Sequence, residues 1–207
     1  LPTFPPLVRL ERRPNGTVSW MRGSFDYLAS YEAAAPPAGP TLSGLAASRA
    51  TGAIGFMEIF SRSIGLNDPA TELAFVATAT DELGYGHTRF KQVYNGLEVW
   101  GRDVIVHSDA AGKVYLMNGS YEKTPTGLDV TFTVTPDQAY GIVVDRLRRE
   151  GRMAPVDPSV ERLLDMQTSI RSVIYPDPVR GMRVAYEVEI HPNLVEHFTF
   201  LVDANDG

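Results

Sequence analysis

Apolar residues recur along this chain in two rhythms, and the order of those rhythms gives the first view of the fold. Between Ala50 and Ile64 they fall three and four apart, at Ala50, Ile54, Met57, Phe60 and Ile64. That spacing predicts one helix with a single buried stripe, closed by Gly65. Gly52 and Gly55 cost about 1 kcal/mol each against alanine, so they weaken the first turns or mark close packing on a sheet. The period then shortens to two. Leu73–Thr80, His87–Tyr94, Leu97–Val106 and Lys113–Met117 read as four consecutive strands, with a turn at Asp109–Gly112. The second half repeats this order. Thr135-Pro136-Asp137-Gln138 is a capping box with proline at the first helical position. Ala139, Ile142, Val143 and Leu147 form the stripe that follows, and Gly151 the stop. Strands are expected at Ile170–Tyr175, Arg183–Ile190 and His197–Asp203. In the middle one Val184, Tyr186, Val188 and Ile190 share one face, and Glu187, Glu189 and His191 the other, as in a half-solvated antiparallel strand. The pattern predicts an α+β chain with two helix-on-antiparallel-sheet lobes in series.

Asn95 and Gly96 sit between two strand-like runs, the pairing that a type I′ hairpin turn selects. A two-residue turn fixes the expected register. Tyr94 faces Leu97, Gln92 faces Val99, Phe90 faces Gly101 and Thr88 faces Asp103. On the other face Val93 meets Glu98, Lys91 meets Trp100 and Arg89 meets Arg102. Phe90, Tyr94, Leu97 and Val99 define the core face. The apolar parity switches to Val104 and Val106 beyond Gly101, which predicts a β-bulge at that glycine. Arg89 against Arg102 needs an acidic partner surface or a nearby carboxylate, with Glu98 and Asp103 close in sequence. Lys91 over Trp100 reads as a cation–π pair, and Trp100 alternatively as an interface anchor.

The same hairpin resembles a known family. His87, Arg89, Gln92, Tyr94, Gly96, Val99 and Gly101 fit, without interruption, the pattern H-x-R-x-x-Q-x-Y-x-G-x-x-V-x-G of the fungalysin/thermolysin propeptide (FTP) motif. In the second half Val173-Ile174-Tyr175-Pro176, Val184-Ala185-Tyr186-Glu187-Val188 and the ending Val202-Asp203-Ala204-x-x-Gly207 resemble the PepSY-type module that follows that motif. The resemblance implies two cystatin-like lobes, FTP over 41–127 and PepSY-like over 128–207, behind an N-terminal arm and linker over 1–40. That arm holds one candidate hairpin, Val8-Arg9-Leu10 against Val18-Ser19-Trp20-Met21, and an Ala/Pro/Gly-rich stretch from Ala33 to Pro40. The resemblance further implies a noncatalytic pro-region that assists folding of a secreted or periplasmic zinc metalloprotease and keeps it inactive. Its partner is the cognate catalytic domain, and zinc and calcium are expected there, with no cofactor in this chain. The alternative is a free-standing module of the same fold that inhibits a protease in trans.

Composition narrows the chemistry. The chain has 207 residues and a net charge of −6. It has no basic stripe for nucleic acid and no apolar run of membrane-spanning length. It contains no cysteine, which excludes disulfides and thiolate metal sites. Arg146, Arg148 and Arg149 are explained as the solvated end of a helix, favoured by its dipole. The chain starts at Leu1 without a visible signal peptide, which reads as a processed or trimmed product. Asn15-Gly16-Thr17 and Asn118-Gly119-Ser120 fit the glycosylation sequon and read as turns. No H-E-x-x-H and no G-x-S-x-G is present. His191 and His197 flank Glu196 in a strand connection, where a solvated hairpin loop is favoured over a metal site. His87 and Arg89 are read as a polar outer face that meets a neighbour, not as a catalytic pair. The candidate protein-interface residues are therefore His87, Arg89, Trp100, Glu187 and Glu189.

Overall fold

The Asn95-Gly96 turn takes φ of 49° and 80°, both in the left-handed region that a type I′ turn requires. Around it the computed structural model, which describes residues 8–25 and 44–207, builds an antiparallel meander. The chain divides into two compact units, Leu1–Thr126 and Gly127–Gly207. The stretch from Ala33 to Pro40 lies outside the described residues.

In the first unit β1 (Arg9–Arg12) and β2 (Val18–Arg22) form the expected hairpin. Helices α1 (Gly44–Ile59), α2 (Ser61–Ile64) and α3 (Pro69–Glu72) follow. Then come β3 (Leu73–Thr80), β4 (Gly86–Tyr94), β5 (Leu97–Ser108) and β6 (Val114–Ser120). Antiparallel pairing gives the order β1-β2-β6-β5-β4-β3. The predicted stripe Ala50, Ile54, Met57, Phe60 and Ile64 is fully buried. It packs with Met21, Phe25, Phe90, Val104, Val106 and Met117 on one sheet face. Phe25, Phe56 and Phe60 meet with centroids 4.9–5.5 Å apart, the range of favourable ring pairs. The helix predicted as one piece breaks at Phe60, and Gly65 ends it in the left-handed conformation with φ 85°. Tyr121 plugs the core: its hydroxyl donates to Ile64 O at 2.8 Å and accepts from Val18 N at 3.1 Å. Burial pushes that phenol well above its usual range.

The hairpin register departs from expectation two residues beyond the turn. Tyr94↔Leu97 and Val93↔Glu98 pair as expected, but Lys91 then faces Asp103 and Phe90 faces Val104. Val99–Arg102 forms a bulge opposite Gln92, with Gly101 at φ 65°. The bulge is thus at the predicted glycine but larger. Its effect is to pair Arg89 with Ile105 and Thr88 with Val106, and to remove the expected Phe90–Gly101, Lys91–Trp100 and Arg89–Arg102 pairs. Asn118-Gly119-Ser120 lies within β6, not in a turn. Gly119 is there because a Cβ would stand 2.4 Å from Asp103 O and 2.8 Å from Val104 Cα.

The second unit holds α4 (Pro136–Arg149), α5 (Pro158–Leu163), β7 (Ser169–Asp177), β8 (Gly181–Ile190) and β9 (Phe198–Asp203). The strands pair antiparallel in the order β7-β8-β9 without a register shift. The capping box forms as expected: Gln138 N donates to Thr135 Oγ1 at 3.2 Å and Thr135 N to Gln138 Oε1 at 2.8 Å. Ala139, Val143, Val144 and Leu147 are the buried face of α4, whereas Ile142 is exposed. Helix α5 was not anticipated. Asp203 organises the C-terminal turn by accepting from Asn205 N at 2.9 Å and Asp206 N at 3.1 Å. It also pairs with Arg183, and this guanidinium, with the two backbone donors, holds its carboxyl at about 2.

Candidate functional site

The face of the first sheet turned away from α1 carries the polar residues of the hairpin. His87, Arg89 and Lys91 alternate on β4 with the buried Gly86, Thr88, Phe90 and Gln92. His87 Nδ1 meets His107 Nδ1 at 2.7 Å, directly across the strand pair. His87 Nε2 lies 3.3 Å from Asp81 Oδ2, and His107 Nε2 lies 2.6 Å from Asn118 Oδ1. The four side chains form one line from the β3–β4 connection to β6. Backbone N–H donation from Tyr85, with that of Leu83 and the His87 side chain, holds Asp81 below the usual carboxylate range. Burial, the largest cause, pushes His107 down.

Each cation beside the bulge has a carboxylate. Arg89 pairs with Asp103, Lys91 Nζ lies 2.8 Å from Glu98 Oε2, and Arg102 Nε lies 2.8 Å from Glu122 Oε1. Arg89, Lys91, Glu98, Gly101, Arg102 and Asp103 line a shallow depression of about 210 Å³. Trp100 is half-buried within the bulge, not opposite Lys91. Beneath it, the fully buried Gln92 binds the backbone of Glu122 twice. Its Nε2 donates to Glu122 O and its Oε1 accepts from Glu122 N, both at 2.8 Å. A side-chain amide here takes the place of a ladder residue and keeps the bulge open. Sequence reasoning missed this role, and it missed His107 and Asp81 as partners of His87, whereas Asp103 was anticipated as a carboxylate near Arg89. The parity switch at Gly101 was the signal that aligned His107 with His87.

The expected interface residues of the second unit fare differently. Glu187 is buried and ion-paired with Arg171 across β7–β8, so it is not a surface group. Alternation does not report cover: Glu187 is buried beside Arg171, with which it is ion-paired. Glu189, two residues on, is half-buried. His191 and His197 stack with centroids 4.2 Å apart and planes 9° from parallel. Their in-plane lone pairs therefore do not converge on one ion, and Glu196 is taken by Arg152 and Asn193. Arg146 has partners too: Glu150 at 2.9 Å and the Phe200 ring at 5.6 Å. Among the described residues no group of three or more His, Cys, Asp or Glu gathers in a metal-holding arrangement. No described helix is long and apolar enough to cross a membrane.

His87, Arg89 and Gln92 of the hairpin pattern thus each have a bond that shapes or neutralises the strands. Residues 71–121, from α3 to the buried Tyr121, match the family model "Fungalysin/Thermolysin Propeptide Motif". The chain carries the fungalysin/thermolysin propeptide motif. Bacillolysin of Bacillus subtilis (strain 168) is 44% identical over 52 residues, 25% of this chain and 10% of its own length. Bacillolysin of Bacillus amyloliquefaciens is 33% identical over 78 residues, 35% of this chain and 15% of its own. The thermostable neutral protease NprT of Geobacillus stearothermophilus is 31% identical over 144 residues, 65% of this chain and 24% of its own. The chain therefore corresponds to a quarter or less of each of these relatives. Together the motif and the relatives support a pro-region of a thermolysin-like protease.

Proposed function

We propose that this chain is the noncatalytic pro-region of a secreted thermolysin-like metallopeptidase and acts as intramolecular chaperone and inhibitor of the catalytic domain. One observation carries the reading. The propeptide motif is matched over residues 71–121, and its polar residues are engaged in holding a bulged sheet, not gathered around a reaction centre. A preformed surface that binds the native catalytic domain and not its unfolded chain favours the native state by mass action. A covalent tether raises the effective concentration of that surface to the millimolar range. In this reading the second unit, with its PepSY-like ending, is a cystatin-like helix-on-sheet lobe that follows the FTP lobe in sequence. His87, Arg89 and Trp100 on the first unit and Glu189 on the second are the proposed contact residues. The ion pairs of Arg89, Lys91 and Arg102 suit such a face, because a partner can exchange them without leaving a buried charge. Zinc and calcium belong to the partner domain in this reading.

The test is refolding of the denatured catalytic domain of the same precursor with this chain added in trans. A raised yield, together with inhibition of the refolded enzyme, is expected. Inhibition without a gain in yield would favour the free-standing inhibitor, and neither effect would refute both readings. The purified chain alone is expected to leave casein intact and to melt at the same temperature with and without chelator.

A further inference from the structure

We propose that His87 and His107 form a proton-sharing latch between β4 and β5, which holds one added proton and opens on the second, making the first unit acid-responsive. The geometry sets the count. Two ring nitrogens 2.7 Å apart require one proton between them, since two lone pairs or two N–H groups would repel. With one added proton every nitrogen has a partner. His87 donates from Nε2 to the Asp81 carboxylate and from Nδ1 to His107 Nδ1, and His107 donates from Nε2 to Asn118 Oδ1. A second proton has no place, because it sets N–H against N–H on paired residues of two strands.

The surrounding groups do not relieve that conflict. Asp81 and Tyr85 face the pair from the β3–β4 connection, and Arg89 lies two residues along β4. Tyr115 on β6 stands 6.2 Å from the His107 ring, and Arg22 on β2 and Asp109 beyond β5 act on that tyrosine. Asp81 is the one carboxylate in contact with the pair among the described residues, and it already serves His87. Arg89 is occupied by Asp103. Half-burial opposes charge on His107, whose ordinary value is 6.5. Its folded-state value is depressed, so its neutral form contributes stability that is complete above about pH 6.5 and is lost as pH falls through the folded-state value.

The titration is read on the full chain by NMR of the histidine ring protons, in buffer containing chelator, with His87→Gln and His107→Gln to assign the signals. The two resonances are expected to move together in two steps whose proton affinities differ tenfold or more, as coupled sites do. Both tryptophans, Trp20 and Trp100, lie in the first unit, so their fluorescence follows that unit. The wild-type melting temperature is expected to fall between pH 6.5 and 5, and His107→Gln to flatten that fall. Independent single-step titration of His87 and His107 at one midpoint would overturn the inference. So would a pH profile of His107→Gln superimposable on the wild type. The consequence rests on the propeptide reading: such a latch would loosen a pro-region in acid. The titration uses the chain alone, so it can fail while the refolding test succeeds, and the reverse.

Discussion

The two units reach similar helix-on-sheet outcomes by different means. Among the described residues, the first buries Thr17, Arg49, Glu72, Thr88, Gln92 and Ser108, and the second buries only Glu187 as a polar side chain. The first has register shifts in the β1–β2, β3–β4, β4–β5 and β5–β6 pairs. The second has an unbroken ladder from Ser169↔Glu189 to Asp177↔Gly181. These facts are linked. A shifted strand leaves backbone groups without ladder partners, and buried groups of that kind must be satisfied by side chains. Gln92 does this for Glu122. Glu72 serves the connection between α2 and α3 in the same way, accepting from the N–H groups of Asn67 at 2.9 Å and Asp68 at 2.7 Å. Such roles demand one residue type at one position. A regular ladder needs only the apolar alternation, which many sequences provide. This accounts in physical terms for a family match on residues 71–121, which hold three of the four shifted strand pairs.

The comparison breaks most sharply at Gly119. A methyl group there meets the backbone of Asp103 and Val104, which cannot swing aside as a flexible side chain would. Gly119→Ala is expected to cost about 3 kcal/mol or more, at the upper end of overpacking effects. Tryptophan fluorescence in a denaturant melt checks it. A loss below about 1 kcal/mol would mean that β5 and β6 tolerate separation.

Gln92→Leu comes next. It keeps the volume and removes both bonds to Glu122, leaving the part-buried N–H and C=O of that residue without the amide. The expected loss is about 2–3 kcal/mol. Gln92→Glu should recover little, because a carboxylate cannot donate to Glu122 O. If leucine is tolerated, the bulge is maintained by Gly101 alone, and the account of the motif given above is wrong.

In the second unit Glu187→Lys tests whether alternation or cover decides a residue's role. A solvated face predicts almost no change in stability. Burial beside Arg171 predicts a loss of about 1–3 kcal/mol, tempered because Arg171 is itself partly exposed. Glu189→Lys, read by the same circular-dichroism melt, should cost less.

Asp203→Asn sharpens the same unit through pH. The folded-state value of Asp203 is depressed to about 2, so its contribution is present above its ordinary 3.8 and lost as pH falls toward 2. The gap in melting temperature between wild type and Asp203→Asn should therefore be full at pH 6 and close between about pH 4 and 2. A gap that persists at pH 2 would assign the effect to the Asn205 and Asp206 N–H bonds and not to charge.

These contrasts mark what the sequence reveals. The stripe from Ala50 to Ile64, the Thr135–Gln138 capping box and the Asn95-Gly96 turn depend on neighbours within a few residues, and each was legible. The register past Val93 was not, because the residue that sets it, Gln92, bonds to Glu122 thirty positions away. The position of Glu187 was legible but its burial was not, since period-two alternation reports which face a residue is on and not what covers it. His107 was visible as a strand residue, yet its pairing with His87 follows only once the bulge has shifted β5.

The smallest expected effect has the opposite sign. Gly141 lies in the interior of α4, outside the left-handed region, and a Cβ built on it meets nothing within 4 Å. Alanine there reduces the freedom of the unfolded chain and restores helix propensity, each favouring the folded state. Gly141→Ala is expected to stabilise the second unit by about 0.5–1 kcal/mol. The same substitution would then be ruinous at Gly119 and helpful at Gly141, because one glycine is fixed by a neighbouring backbone and the other meets nothing within 4 Å among the described residues. Circular-dichroism melts of the full chain give the sign. A loss of stability at Gly141 would reveal close packing on α4 that this structure does not contain. A gain in stability combined with weaker inhibition of the catalytic domain would place that helix face at the partner, where a glycine serves binding and not folding.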